Sequence, residues 1–219
     1  MKRTLNTALL GFGQDIDQKG LKIIALPELQ ETSDLPCDTG SAPEELAKEF
    51  EGKPVDFQLV HPDWNVKKGK FGPAQEALNA RAREARLWLL ARPEKEIVVV
   101  THGTPISLRA HGIVLTAVPI GAFLHLLTDD WSDSARFNGT GWANTEFRSY
   151  TFASTDKEHE PVTDAHMVET EASRLRRHPA DTKPLSREEQ AQAKAATQKE
   201  WQGQGYAEPG KAPDVKAKI

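Results

Sequence analysis

The chain contains one cysteine, Cys37, so no disulfide can form within it and no cysteine-based zinc array is available. A reducing compartment, and with it a cytoplasmic location, is the expectation that follows. Apolar runs are short, and none approaches the roughly 20 consecutive residues that a membrane-crossing helix requires. Lys2 and Arg3 ahead of Leu9-Leu10 mimic the start of a signal peptide, but Asn6 and Thr7 interrupt the apolar run and argue against one. Neither sign of charge dominates, because the formal net charge is −4 with both signs interspersed. That pattern offers no footprint for nucleic acid and no basic face for a membrane surface. Metal-site spacing is also missing. His111 and His125 share no short interval and have no carboxylate in register, so both are read as structural.

What is present is unevenly distributed. Apolar segments recur from Met1 to about Phe152, and beyond that point charged residues, Gln, Ala and Pro prevail. The expected organisation is an α/β domain over residues 1–152 and a charged C-terminal extension over 153–219. Within the extension, Ser186 and Glu189 have the spacing of a capping box for a helix over 186–201, ahead of a disordered end. Residues 153–184 read as extended, weakly packed chain.

Helical spacing appears over 3–12, closed by Gly11 and Gly13, and over 42–50, where Pro43 opens the helix and Leu46 and Phe50 share a face. The clearest helix is 74–91, with Leu78, Ala82, Ala85 and Leu89 facing inward and its arginines outward. A shorter one is expected over 122–131. Strands are expected over 21–26 and 97–100, with an edge strand over 146–152, and residues 55–72 read as irregular with Trp64 as anchor. Strand, long helix and strand in succession imply parallel strands joined by a right-handed crossover.

Three positions could carry chemistry. The run Ile97-Val98-Val99-Val100-Thr101-His102-Gly103 reads as a strand covered on both faces. It ends in a polar pair where open α/β sheets bind ligands, so His102 could donate to a phosphoryl oxygen or act as a base. Arg3 sits in the first turn of a helix, where a cation opposes the macrodipole unless both face a bound anion. Glu31 and Glu28 follow a strand end; a carboxyl group partly desolvated there keeps its proton near neutral pH and can act as a general acid. Each has a plain structural alternative: an exposed Arg3, a solvated loop glutamate, a satisfied core histidine.

The segments KRTLNTALLGF, PELQETSDLPCDTGS, RPEKEIVVVTHG and FLHLLTDDW with GTGWANTEFRSYTF resemble fungal phosphoglycerate-mutase-like proteins of the histidine phosphatase superfamily. The resemblance covers most of residues 2–152. It implies a three-layer α/β sandwich with a mostly parallel sheet, and a phosphatase that needs neither metal nor cofactor and works through a phosphohistidine on a phosphorylated small molecule. Its phosphate-clamping arginine, in an Arg-x-x-x-Thr-Ala pattern, matches Arg3 with Thr7-Ala8. Its proton donor, in a Leu-x-Glu pattern, matches Glu31, with Glu28 the weaker choice. Its second histidine, which stabilises the transferring phosphoryl group, matches His102.

The chain departs from that pattern at two places. The family's nucleophilic histidine lies in an Arg-His-Gly motif on a first strand that precedes the Arg3 helix; here the chain starts at the helix, so the N-terminal strands and the nucleophile are expected to be missing. Arg109-Ala110-His111-Gly112 is a poor substitute, because one extra residue turns Arg and His onto the same strand face. The second departure is an apolar stretch at 104–121, far longer than the common strand-to-helix loops of about 2–6 residues. A retained short intron and a real substrate-lid insertion are the two readings of it. The expected functions are accordingly a phosphomonoesterase for the parent family and, for this chain, a non-catalytic phospho-ligand-binding module or a non-functional truncated product. Mutase activity is less favoured, as nothing here would hold a phosphorylated cofactor.

Overall fold

A computed structural model describes residues 1–32, 34, 36–101, 120–132, 146–153, 165–180 and 183–201. Helix α1 spans Lys2–Lys19 and ends at Gly20, whose left-handed φ of 60° lets its N–H reach back to Asp17 O and Ile16 O. Strand β1 (Ile23–Ile24) follows, then helix α2 (Pro43–Glu49) and strand β2 (Val55–Asp56). β1 and β2 are parallel, with Ile23 opposite Val55 and Ile24 opposite Asp56. Helix α3 (Gln75–Leu90), helix α4 (Ile120–Thr128) and strand β3 (Tyr150–Phe152) come next. Strand β4 (Met167–Glu169) pairs antiparallel with β3, and helices α5 (Glu171–Arg177) and α6 (Arg187–Trp201) complete the described elements. The fold is therefore α/β.

Two apolar clusters lie against the end of β1. One joins Leu5 of α1, Leu46 of α2, Phe50, Val60, Trp64 and Phe71 to Ala25. The other joins Leu78, Ala82 and Ala85 of α3 to Phe123, Leu126 and Leu127 of α4, with Trp131 and Ala193 of α6, and Leu26 and Leu29 pack against it. Consecutive residues Ala25 and Leu26 thus serve opposite cores, as the period of two of an extended chain requires.

The C-terminal half is tied on by polar contacts. Ser186 and Glu189 cap α6 reciprocally, Ser186 N donating to Glu189 Oε2 at 2.7 Å and Glu189 N to Ser186 Oγ at 3.3 Å. Gln190 accepts from Trp131 N at 2.6 Å and donates to Asp130 Oδ1 at 3.0 Å, docking α6 on the end of α4.

Several elements differ from the sequence expectation. α1 runs through Gly11 and Gly13 because its apolar stripe continues to buried Ile16, and this burial outweighs a helix penalty of about 1 kcal/mol per glycine. Residues 97–100 form no strand among the described residues; Ile97, Val98 and Val99 are exposed, Val98 at 64%, and no neighbouring strand supplies ladder partners. The arginines of α3 do not all face outward. Arg81 and Arg86 are buried, Arg86 donating to Leu126 O, one of the carbonyls that the last turn of α4 leaves without a helical partner. Within 153–184, β4 and α5 are ordered: buried Glu169 accepts from Ser173 Oγ at 2.6 Å and pairs with Arg177, which satisfies a carboxylate that composition alone would place in water. Residues 202–219, where a disordered end was expected, and 104–119 of the apolar stretch lie outside the described residues.

Trp64 fixes the loop after the 3₁₀ turn Pro36–Asp38. Its indole Nε1 donates to Ser41 O at 3.1 Å, and Asn65 Nδ2 donates to Gly40 O at 2.8 Å. A Cβ on Gly40 would stand 2.1 Å from Trp64 Cη2, and the ring is buried with nowhere to go. Gly40→Ala should therefore destabilise the protein by about 1–3 kcal/mol, read as a lower urea midpoint followed by tryptophan fluorescence; an unchanged midpoint would show that the loop is not seated on Trp64.

Candidate functional site

β1 delivers the segment on which the site is built. Ala25 N donates to Asp56 O at 2.9 Å, which extends the parallel pairing past Ile24. The chain then closes a 3₁₀ turn over Pro27–Leu29, with Leu29 N donating to Leu26 O and Gln30 N to Pro27 O, each at 3.1 Å. Pro27 suits the start of such a turn because its missing N–H is not needed there. Gln30 is extended again, at φ −67° and ψ 165°. Glu31 therefore emerges at the carboxyl edge of a parallel strand, where open α/β sheets place their ligands.

Three side chains hold this segment from below. Gln30 Nε2 donates to Trp64 O at 2.6 Å, Arg81 Nη2 donates to Gln30 O at 3.1 Å, and Lys67 Nζ donates to Glu31 O at 2.6 Å. Arg81 is fully buried, with its guanidinium 4.6 Å from the centre of the Phe123 ring. Two successive carbonyls are thus each bound by a cation, a stronger arrangement than neutral hydrogen bonds would give.

Glu31 is only 8% exposed. With Arg3, Asp38, Thr39 and Ser41 it lines an open cavity of about 250 Å³. Lys2 also borders the cavity and pairs with Glu49 of α2. Burial first, and then the Asp38 carboxylate, push the Glu31 carboxyl up to about 7, against the pull of the Met1 amine, Lys67 and Arg3. Burial pushes Lys67 down to about 8, reinforced by Arg81 and opposed by Glu31, Asp38 and Asp34. A cavity that holds a protonated carboxyl and a guanidinium together can bind an oxyanion and pass it, or its leaving group, a proton.

Of the residues singled out in the sequence, Arg3 and Glu31 come together in this cavity. Arg3 is exposed in the first turn of α1, and Thr7 Oγ1 donates to its carbonyl at 2.9 Å. Glu28 lies outside the cavity lining and pairs instead with Lys70 Nζ at 2.7 Å, which also reaches Glu84 at 2.6 Å. His102, Arg109 and His111 lie outside the described residues. Thr101, next to His102, is described, and its Oγ1 makes a long hydrogen bond of 3.4 Å to Leu29 O, beside the turn that leads to Glu31. His125 is buried at the end of α4, its ring stacked on Trp131 at 5.3 Å and its Nδ1 2.8 Å from Asp130 O. Among the described residues no group of three or more His, Cys, Asp or Glu side chains could hold a metal ion.

Sequence reasoning missed Lys67, Asp38 and Arg81 as members of this site. Lys67 and Arg81 act on residues 36 and 51 positions away in the chain, so no local spacing announces them. The adjacency of Trp64, which sequence did mark as an anchor, was the only hint available for Lys67.

A family model of the histidine phosphatase superfamily, branch 1, matches residues 1–142. A probable phosphatase of Schizosaccharomyces pombe is 34% identical over 110 residues, covering 49% of this chain and 50% of that protein. The chain thus spans about half the length of the curated relative it matches. No solved structure matches it significantly.

Glu31 makes stability depend on pH. Its carboxyl in the folded chain is raised from 4.5 to about 7, so its contribution is present in full below pH 4.5 and is lost as pH rises through 7. Glu31→Gln keeps the neutral form at every pH. The variant should match the parent near pH 4 and exceed it by about 3 kcal/mol near pH 8, measured by urea unfolding at both; a gap that does not change with pH would contradict the raised carboxyl.

Proposed function

Because the chain belongs to the histidine phosphatase superfamily, we propose that it forms the phosphate-binding and proton-donating part of a phosphomonoesterase site. The observation that carries this reading is the single cavity shared by Arg3 and a Glu31 carboxyl that burial holds protonated near neutral pH. In this reading Arg3 grips two phosphoryl oxygens with its planar fork. Glu31 gives its proton to the leaving oxygen of the ester, which spares an alkoxide from departing unprotonated. His102, which lies outside the described residues, has the role of stabilising the charge on the transferring phosphoryl group in this reading. The partner is a phosphorylated small molecule in the cytoplasm, and the chemistry needs neither metal nor cofactor. The helices on opposite sides of the β1 end, α1 and α2 on one and α3 and α4 on the other, support a three-layer sandwich.

Hydrolysis through a phosphohistidine also needs a nucleophile. These 219 residues contain no Arg-His-Gly sequence, so this polypeptide by itself binds phosphate monoesters without turning them over. A second reading, a non-functional product that folds poorly, is favoured by the exposed apolar run Ile97-Val98-Val99. A broad, non-cooperative melt with dye-binding apolar surface marks that case.

Inorganic phosphate should bind the 219-residue chain in the millimolar range, followed by phosphorus NMR, and Arg3→Ala should weaken it about tenfold, equivalent to about 1.4 kcal/mol. p-Nitrophenyl phosphate should remain intact. Phosphate binding indifferent to Arg3, or hydrolysis of the ester, would overturn the reading.

A further inference from the structure

Phosphoryl chemistry on this cavity needs a proton donor that is both fixed in place and tuned in acidity. Glu31 sits on a loop, and loops alone fix side chains poorly. What fixes it here is the grip on its own backbone: Lys67 Nζ on Glu31 O at 2.6 Å and Arg81 Nη2 on Gln30 O at 3.1 Å, with Gln30 Nε2 on Trp64 O at 2.6 Å from the same side. We propose that Lys67 is the positioning residue of the Glu31 proton donor, holding its main chain and placing a positive charge beside it. The proposal deepens the phosphomonoesterase reading and rests on it for the donor role, while the contact of Lys67 with the Glu31 main chain stands on geometry alone.

The two members of the clamp differ in kind. Arg81 lies on α3 with its guanidinium over Phe123, fully buried, and its planar fork makes it a fixed support. Lys67 approaches from the irregular segment after Trp64, is only half-buried, and carries its charge on a flexible stem. Lysine is also the member that titrates within reach of neutral pH: burial and Arg81 lower it to about 8. The charged groups around Glu31 include Asp38, the Met1 amine, Lys67, Arg3 and Arg81; those around Lys67 include Arg81, Glu31, Asp38 and Asp34. Asp38 and burial push the Glu31 proton on; Lys67 is the cation that pushes it off while touching the same residue. Without Lys67 the carboxyl would stay protonated to higher pH and the carbonyl of Glu31 would lose its donor.

The test is an NMR titration of the Glu31 side-chain carboxyl in the full chain, assigned with Glu31→Gln. It needs no substrate and no turnover, so its outcome is independent of whether phosphate binds. Lys67→Met should move the Glu31 midpoint upward by roughly half to one pH unit, and Lys67→Arg should restore it. If Lys67→Met fails to fold, the parent and Lys67→Arg decide: the parent's Glu31 carboxyl signal should show a second inflection as Lys67 loses its proton near pH 8, and Lys67→Arg, whose guanidinium keeps its charge, should lack it. A folded Lys67→Met with an unmoved midpoint, Lys67→Arg behaving like Lys67→Met, or a single inflection in the parent would each overturn the proposal. Loss of phosphate binding with the Glu31 shifts intact would instead fault the phosphomonoesterase reading and leave the Lys67 coupling standing.

Discussion

The described structure depends on the burial of one short main-chain segment, Gln30–Glu31, at the point where the two apolar cores meet. Ala25 commits the chain to the core of α1 and α2, Leu26 and Leu29 to that of α3 and α4. A segment so placed brings its peptide groups out of water, and each carbonyl left without a donor there would cost about 1–3 kcal/mol. Arg81 and Lys67 supply those donors. Their own desolvation is opposed by the carboxylates nearby, Glu28 and Glu31 for Arg81, and Glu31, Asp38 and Asp34 for Lys67. Cations and carboxylates are therefore mutually dependent: removing one leaves another buried without compensation.

The same arrangement sets Glu31 apart from Glu28. Both follow β1 and both are acidic residues of one loop. Glu28 pairs with Lys70, which bridges it to Glu84 on α3. Glu31 turns inward, loses solvent, and meets the like charge of Asp38 across the cavity. Desolvation and a neighbouring carboxylate both favour the neutral acid, and the Arg3 guanidinium lines the same cavity. Trp64 links these effects, because it accepts from Gln30 on one side and seats the Gly40–Ser41 backbone next to Asp38 on the other.

Local patterning carried most of the helices. The stripe Leu78, Ala82, Ala85 and Leu89 and the pair Leu46 and Phe50 are buried as their spacing required, and the Ser186–Glu189 pairing is present at the start of α6. The family was legible from its segments, and Arg3 and Glu31, singled out because each adjoins a recognisable element and matches a family pattern, line one cavity. What was not legible depended on distant partners. The β-branched run at 97–100 has strand propensity, but a strand exists only where another strand pairs with it, and among the described residues none does. Arg81 and Arg86 read as solvent-facing because their charge says so, while their length lets them reach carbonyls of other elements. Glu169 was hidden for the same reason, since its partner Arg177 lies on α5.

The most direct test of Glu31 and Arg3 as one phosphoryl site is the titration of the Glu31 carboxyl with and without inorganic phosphate. Without phosphate the midpoint should lie near 7. With phosphate bound beside Arg3, a second negative charge close to the carboxyl should move that midpoint upward, by about one unit, and Arg3→Ala should remove the shift. A midpoint near the ordinary 4.5, or one that saturating phosphate leaves in place, would contradict a shared site.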